Sequence, residues 1–311
     1  VALGSGGSKG IAHISVLEML KAEGIPVHAI SGSSIGAVVG VLFSIGEMER
    51  YRDDLLSMDW KELISLVDPV FPKTGLVEGK KLRAFLARYI PEKTKIEDLP
   101  VPLSVVATDY YTGKPVVFTS GNVLDALRAS IAIPGVFTPV KFGESLLIDG
   151  GVSDPLPVDV LARMGAGLTI AVNLHPSLPR SRFFSSVKKE MAKATEADAS
   201  NIVVESAADS KDQTSSIARL ASFLTQRKKK SEDTKEREPN IFDIIAQSIE
   251  IMEYMNTLMI LKAYDPDVII EPDLIGMPTL DFTNAARALA EGRAAYKRVQ
   301  SQIVRKIKYW I

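Results

Sequence analysis

The residues Gly32-Ser33-Ser34-Ile35-Gly36 read Gly-x-Ser-x-Gly. That spacing suits a nucleophile elbow, in which a serine at the tip of a tight strand-to-helix turn lifts its Oγ above a sheet and beside a helix N-terminus. Glycines on either side permit the close backbone approach that larger residues would block. A serine hydroxyl is a poor nucleophile until a base takes its proton, and the choice of bases is narrow. Of the three histidines, His13 falls inside a predicted helix and His28 in the strand leading to the elbow, positions that suit hydrogen-bonded structural residues. His175 stands at a strand end. An aspartate serves equally if it is within hydrogen-bond reach and partly desolvated, which raises its basicity. Asp109, in Ala107-Thr108-Asp109, and Asp149, ahead of Gly150-Gly151, both have suitable places. Gly-x-Ser-x-Gly also matches ordinary glycine-rich turns, so its weight comes from its surroundings.

A second glycine-rich stretch, Gly4-Ser5-Gly6-Gly7-Ser8-Lys9-Gly10, lies upstream. It is not a dinucleotide loop, because no three glycines have the Gly-x-Gly-x-x-Gly spacing. Nor is it a nucleoside-triphosphate loop, because Gly10 rather than Ser or Thr follows Lys9. What remains is an anion cradle made of backbone N–H groups at a helix N-terminus, where the dipole favours negative charge. Beside an activated serine, that anion would be the oxyanion of a tetrahedral intermediate.

These loops need a frame to hold them. Val1-Ala2-Leu3 reads as a strand, and residues 11–23 as a helix with Ile11, Ile14, Leu17 and Leu20 on one face and Gly24 as its stop. Residues 26–30 have strand character, and residues 35–43 are apolar enough for a buried helix. Residues 48–88 read as helical and charged, broken at Pro69, Pro72 and Gly75. Further strands are expected at 101–108, 115–119, 145–148, 168–174 and 268–270, with a helix at 123–130 capped by Asn122. Strands alternating with helices predict a mainly parallel sheet covered on both faces. In such sheets working residues gather at strand C-termini, where Ser34, Asp109, Asp149 and His175 all fall.

Beyond Pro179 the chain turns polar up to about Asn240, with a basic run at Arg227-Lys228-Lys229-Lys230. Ile217, Leu220, Ala221 and Leu224 form a stripe before it, suiting either a solvated helix or one lying at a membrane surface. Residues 241–261 read as a long amphipathic helix. Its apolar stripe is Ile241, Ile244, Ile245, Ile249, Met252, Met255 and Met259, with core packing favoured over an acyl-chain groove, while Asp243, Glu250, Glu253 and Asn256 lie largely elsewhere. A closing helix is expected from 284 to about 309.

Composition excludes several classes. The 311 residues are 46% hydrophobic and 24% charged, ordinary for a globular chain with a core. A net charge of −1 gives no pull toward nucleic acid. The absence of cysteine removes disulfides, thiolate metal sites and a cysteine nucleophile. No run of about 18 uncharged apolar residues is present to span a bilayer. A cytoplasmic protein, in contact with membranes at most peripherally, is expected.

Three segments in order resemble the patatin-like phospholipase family: Gly6-Gly7-Ser8-Lys9-Gly10 followed by a helix, the elbow around Ser34, and Asp149-Gly150-Gly151. The stretch from Ala129 to Pro134 and on through Phe137-Thr138-Pro139-Val140 is similar as well, so the resemblance covers roughly residues 1–175. It implies a three-layer α/β/α sandwich and an acyl-ester hydrolase of phospholipase A or lysophospholipase type, using a Ser–Asp dyad without histidine, metal or cofactor. Residue by residue, Ser34 becomes the nucleophile, Asp149 the base, and backbone amides near Gly6, Gly7 and Ser8 the oxyanion hole. Lys9 matches the loop's basic position, either contacting a lipid phosphate or standing as a solvent-exposed or structurally paired lysine. Ser5 departs from the family's usual glycine. The expected organisation is a catalytic core at 1–175, a charged helical insertion or cap at 176–264, and a strand and helix at 265–311 completing the core. An acyltransferase pairing Ser34 with His175, or a non-catalytic lipid-binding protein on the same scaffold, are the alternatives.

Overall fold

The computed structural model describes residues 1–58, 77–177, 241–280 and 282–308. The basic run, the stripe before it and the breaks at Pro69, Pro72 and Gly75 lie outside the described residues. Strands β1 (Ala2–Leu3), β2 (Ile30–Ser33), β3 (Leu103–Asp109), β4 (Pro115–Phe118), β5 (Val140–Phe142), β6 (Ser145–Asp149), β7 (Ile170–Val172) and β8 (Val268–Ile270) form one sheet. Its order is β5-β6-β3-β2-β1-β7-β8, with β4 also paired to β3. The five strands from β3 to β8 across the centre are parallel. The β3–β4, β3–β6 and β5–β6 pairs are antiparallel.

Helices α1 (Ala12–Ala22), α2 (Ile35–Ser44), α3 (Met48–Ser57), α4 (Lys80–Leu86), α5 (Val123–Ser130), α6 (Val158–Arg163), α7 (Ile241–Tyr264) and α8 (Ala285–Lys308) connect or cover these strands. Strand alternation sorts the apolar side chains to two faces. Leu3, Ile170 and Val172 join a core with Leu17, Leu20, Leu42, Leu127 and Tyr296. Ala2 and Ala171 point the other way, into a smaller core with Leu156, Val158 and Leu161, against which Ile260 and Leu261 of α7 pack. Helices therefore cover both faces of the sheet, a three-layer α/β/α sandwich. The Asn122 cap is present, its side chain accepting from the Asp125 amide at 3.1 Å.

Three expectations need correcting. The strand entering the elbow is Ile30–Ser33 rather than 26–30, because β1 offers only Ala2 and Leu3, which pair with Ser31 and Gly32. Residues 241–264 fall in one compact unit with residues 1–179, so the helix expected in a cap packs with the core. Its orientation also differs: Met252, Met255 and Met259 are 43%, 49% and 60% exposed, whereas Glu253 and Thr257 are buried. The helix turns polar groups inward because buried partners wait for them, as described below. Among the described residues no helix is long and apolar enough to cross a membrane.

Candidate active site

Alternation along β2 builds the elbow. The Ser31 hydroxyl donates to Pro157 O at 2.6 Å on one face, while Gly32 faces α2 so closely that a Cβ would strike the Ala37 backbone. A Cβ on Gly36 would meet the backbone of Leu3 and Gly4. The two glycines thus let α2 sit directly over the end of β1. We expect Gly36→Ala to cost about 2–3 kcal/mol, as overpacking against a backbone that cannot yield does. The urea midpoint measures it; an unchanged midpoint would contradict this packing.

Ser34 itself has φ 53° and ψ −124°, a region non-glycine residues rarely adopt and which costs about 1–3 kcal/mol. A relay holds it there: the Ser34 amide donates to Ser130 Oγ at 2.8 Å, and Ser130 Oγ donates to Val106 O at 2.6 Å. Ser130, from α5, was not among the expected site residues.

Sheet register then brings Asp149 to Ser34. Ser33 pairs with Val106, and Ala107, one residue on, pairs with Asp149 on antiparallel β6. Ser34 and Asp149 therefore meet at one level of the sheet. Ser34 Oγ donates to Asp149 Oδ2 at 2.6 Å, and the Gly151 amide donates to Asp149 Oδ1 at 2.8 Å. The Asp149 backbone is fixed as well, its amide donating to Ala132 O at 3.0 Å and its carbonyl accepting from Thr108 Oγ1 at 2.8 Å. Both side chains are buried, at 4% exposure each. Burial, helped by the nearby Glu253 charge and opposed by the Ser34 and Gly151 hydrogen bonds, pushes the Asp149 carboxyl up to about 7. A carboxylate so placed is a far stronger base than an exposed one.

The other candidate bases go elsewhere. Asp109 Oδ1 accepts from the Tyr111 and Thr112 amides at 3.0 and 2.8 Å, a local turn. The Ser145 hydroxyl and Thr112 amide hold that carboxyl below its ordinary range. His13 Nε2 lies 2.8 Å from Gly4 O, and since a carbonyl only accepts, that nitrogen carries the proton. Burial pushes His13 down to about 4, so it is a neutral brace under the glycine loop. His28 is exposed. His175 is buried with Nε2 3.2 Å from Glu253 Oε2, close but not aligned as a hydrogen bond. No hydrogen bond joins it to Ser34.

The glycine loop abuts the elbow, for a Cβ on Gly10 would collide with Ile35. Gly6 and Gly7 take φ 147° and 56°, and neither amide donates to another described residue. Ser8 departs from expectation: its amide donates to Thr279 O at 2.7 Å and its hydroxyl to Pro278 O at 2.8 Å. Lys9 is buried and paired with Glu250 at 3.0 Å, the structural alternative considered for it. Glu253, also on α7, lies off the apolar stripe in the sequence and belongs to none of the site motifs. Its pattern in the sequence is that of a solvated helix face.

The model of the family described as patatin-like phospholipase matches residues 1–162. The chain belongs to the patatin-like phospholipase family. An uncharacterised NTE family protein of Mycobacterium tuberculosis strain H37Rv is 42% identical over 177 residues, 57% of this chain and 49% of that protein. Human patatin-like phospholipase domain-containing protein 6 is 34% identical over 180 residues, 55% of this chain and 13% of that protein. The chain thus spans about half the length of this mycobacterial relative, and much less of the human one. In this patatin-like chain the matched region contains the loop, Ser34 and Asp149, while Glu253 lies beyond it.

Proposed function

We propose that this chain is a serine acyl-ester hydrolase acting on lipid esters, of phospholipase A or lysophospholipase type, with Ser34 and Asp149 as its catalytic dyad. The observation that carries the reading is the 2.6 Å hydrogen bond from Ser34 Oγ to Asp149 Oδ2, made from a strained elbow. Family membership supports lipid-ester hydrolysis in general. Asp149 takes the Ser34 proton as Oγ attacks the ester carbonyl carbon. The Gly6 and Gly7 amides stabilise the oxyanion that forms, each donor contributing about 3 kcal/mol. Ser8 joins them only when the Thr279 carbonyl leaves its amide. As the C–O bond breaks, the leaving alcohol receives the proton from Asp149, leaving an acyl-enzyme. Water then gives a proton to Asp149 and attacks, and Ser34 regains that proton as the fatty acid departs. The lipid is met at a membrane surface by peripheral contact.

Incubation with a mixed lipid extract, followed by mass spectrometry with Ser34→Ala protein as blank, tests the reading. Free fatty acids and matching deacylated lipids should accumulate only with Ser34 present. Identical product profiles from the two proteins would contradict it.

A further inference from the structure

Glu253 is an acidic residue with almost no contact with water, 5% exposed in the face that α7 turns toward the dyad. Its carboxylate is surrounded by groups that favour the anion. Ser5 Oγ donates to Oε1 at 2.6 Å. His175 Nε2, following β7, lies 3.2 Å from Oε2. The Lys9 charge lies close, itself held by Glu250 one turn back on the same helix. The carboxylate lies close against Gly151: a Cβ there would run into Glu253 Oε1 and also meet Ser5 Oγ at 2.7 Å. Gly151 is the residue whose amide holds Asp149 Oδ1. Two buried carboxylates therefore flank one glycine, each with its own donors. Ser5, where the loop departs from the family's usual glycine, supplies the hydroxyl. Its partner comes from a helix outside the region that the family model matches.

We infer that Glu253 is a positioning residue for the dyad: kept anionic by Ser5, His175 and Lys9, it sets a second negative charge against Asp149 across Gly151, and so fixes the pH range over which Ser34 is activated. This rests on the hydrolase reading above. Burial alone drives a carboxyl toward its neutral form, but His175, Ser5 and Lys9 overcome that for Glu253 and leave it below the ordinary range. The fixed charge then adds to burial in raising the basicity of Asp149. The groups facing Asp149 are the Ser34 hydroxyl, the Gly151 amide and Glu253. Those facing Glu253 are Asp149, His175, Lys9 and the Ser5 hydroxyl, with Glu250 behind Lys9.

The test is the pH profile of kcat/KM on an activated acyl ester, together with a titration that needs no substitution. In the unaltered protein the rising limb should have its midpoint near pH 7. In Glu253→Gln, which keeps shape and an acceptor for Ser5, it should move down by about 1 pH unit, with Glu253→Met moving the same way. A merely structural role would lower the rate at every pH and leave the midpoint in place; an unmoved midpoint in a folded, Ser34-dependent variant overturns the inference. Carbon-13 NMR of the unsubstituted protein supplies the second readout. Glu253 should stay ionised throughout the range in which Asp149 titrates; a Glu253 that takes up its proton together with Asp149 or before it on acidification overturns the inference even if both variants fail to fold. Activity surviving Ser34→Ala would instead overturn the hydrolase reading, so the two failures are distinct.

Discussion

Ser34→Ala and Asp149→Asn should each lower kcat for an activated fatty-acyl ester by about 10⁴-fold or more, because the groups of a nucleophile–base unit act together and either loss removes most of the effect. The reason is local. Ser34 Oγ has a single strong partner, Asp149 Oδ2 at 2.6 Å, and the Ser130 relay holds the Ser34 backbone whether or not the hydroxyl is present. Alanine thus removes the hydroxyl from an intact elbow. Asparagine keeps the size of Asp149 and an acceptor for the Gly151 amide, yet cannot take a proton. His175→Ala is the control. General acid–base catalysis contributes about 10²–10⁴-fold, so a loss under about tenfold keeps His175 out of that role, consistent with its place beside Glu253. Steady-state rates on one ester decide it: near-full activity in Ser34→Ala or Asp149→Asn, or a collapse in His175→Ala, would contradict the dyad.

The second large effect is on stability, and it has the opposite sign. The Asp149 carboxyl is pushed up to about 7 in the fold, against about 3.9 for an unfolded chain. The folded protein therefore holds this proton more tightly than the unfolded one. Its contribution to stability is complete below about pH 4, falls as pH rises toward about 7, and is constant above that. A shift of roughly three units corresponds to about 4 kcal/mol as an upper figure. Asparagine never ionises, so Asp149→Asn should be close to the unaltered protein at pH 4 and more stable at pH 8 by about 2–4 kcal/mol. Urea midpoints at the two pH values measure the gap; a gap that does not widen between them would contradict the buried, raised carboxyl. Stability and activity thus pull apart at this residue, as they do where a site keeps a charge that burial disfavours.

Much of the site could be read from residue order alone, because its constraints are local. Gly32 and Gly36 are required by backbone contacts within the elbow and with β1, and such requirements leave a short motif. The Asn122 cap and the β8 boundaries are local in the same way. Partner choice was not legible. Nothing in Ser145–Asp149 says that β6 runs antiparallel to β3, yet that direction places Asp149 level with Ser34. The three-residue strand Val140–Phe142 is too short to show an alternation of its own. The clearest inversion is α7. Hydropathy assigned its methionines to the core and Glu253 elsewhere, whereas the fold buries Glu253 against Ser5 and His175 and leaves Met252, Met255 and Met259 exposed. A buried carboxylate is stable only if its partners are already in place, and those partners lie 248 residues away in the case of Ser5. No window of sequence spans that distance.

Covalent trapping with a fluorophosphonate tests the central claim most directly, since phosphorus bonds to an activated serine Oγ as fluoride leaves. Peptide mass spectrometry should find the adduct on Ser34 in the folded protein, absent after denaturation and formed far more slowly in Asp149→Asn. A folded, ester-hydrolysing protein that leaves Ser34 unmodified, or takes the label on a different serine, would contradict the account.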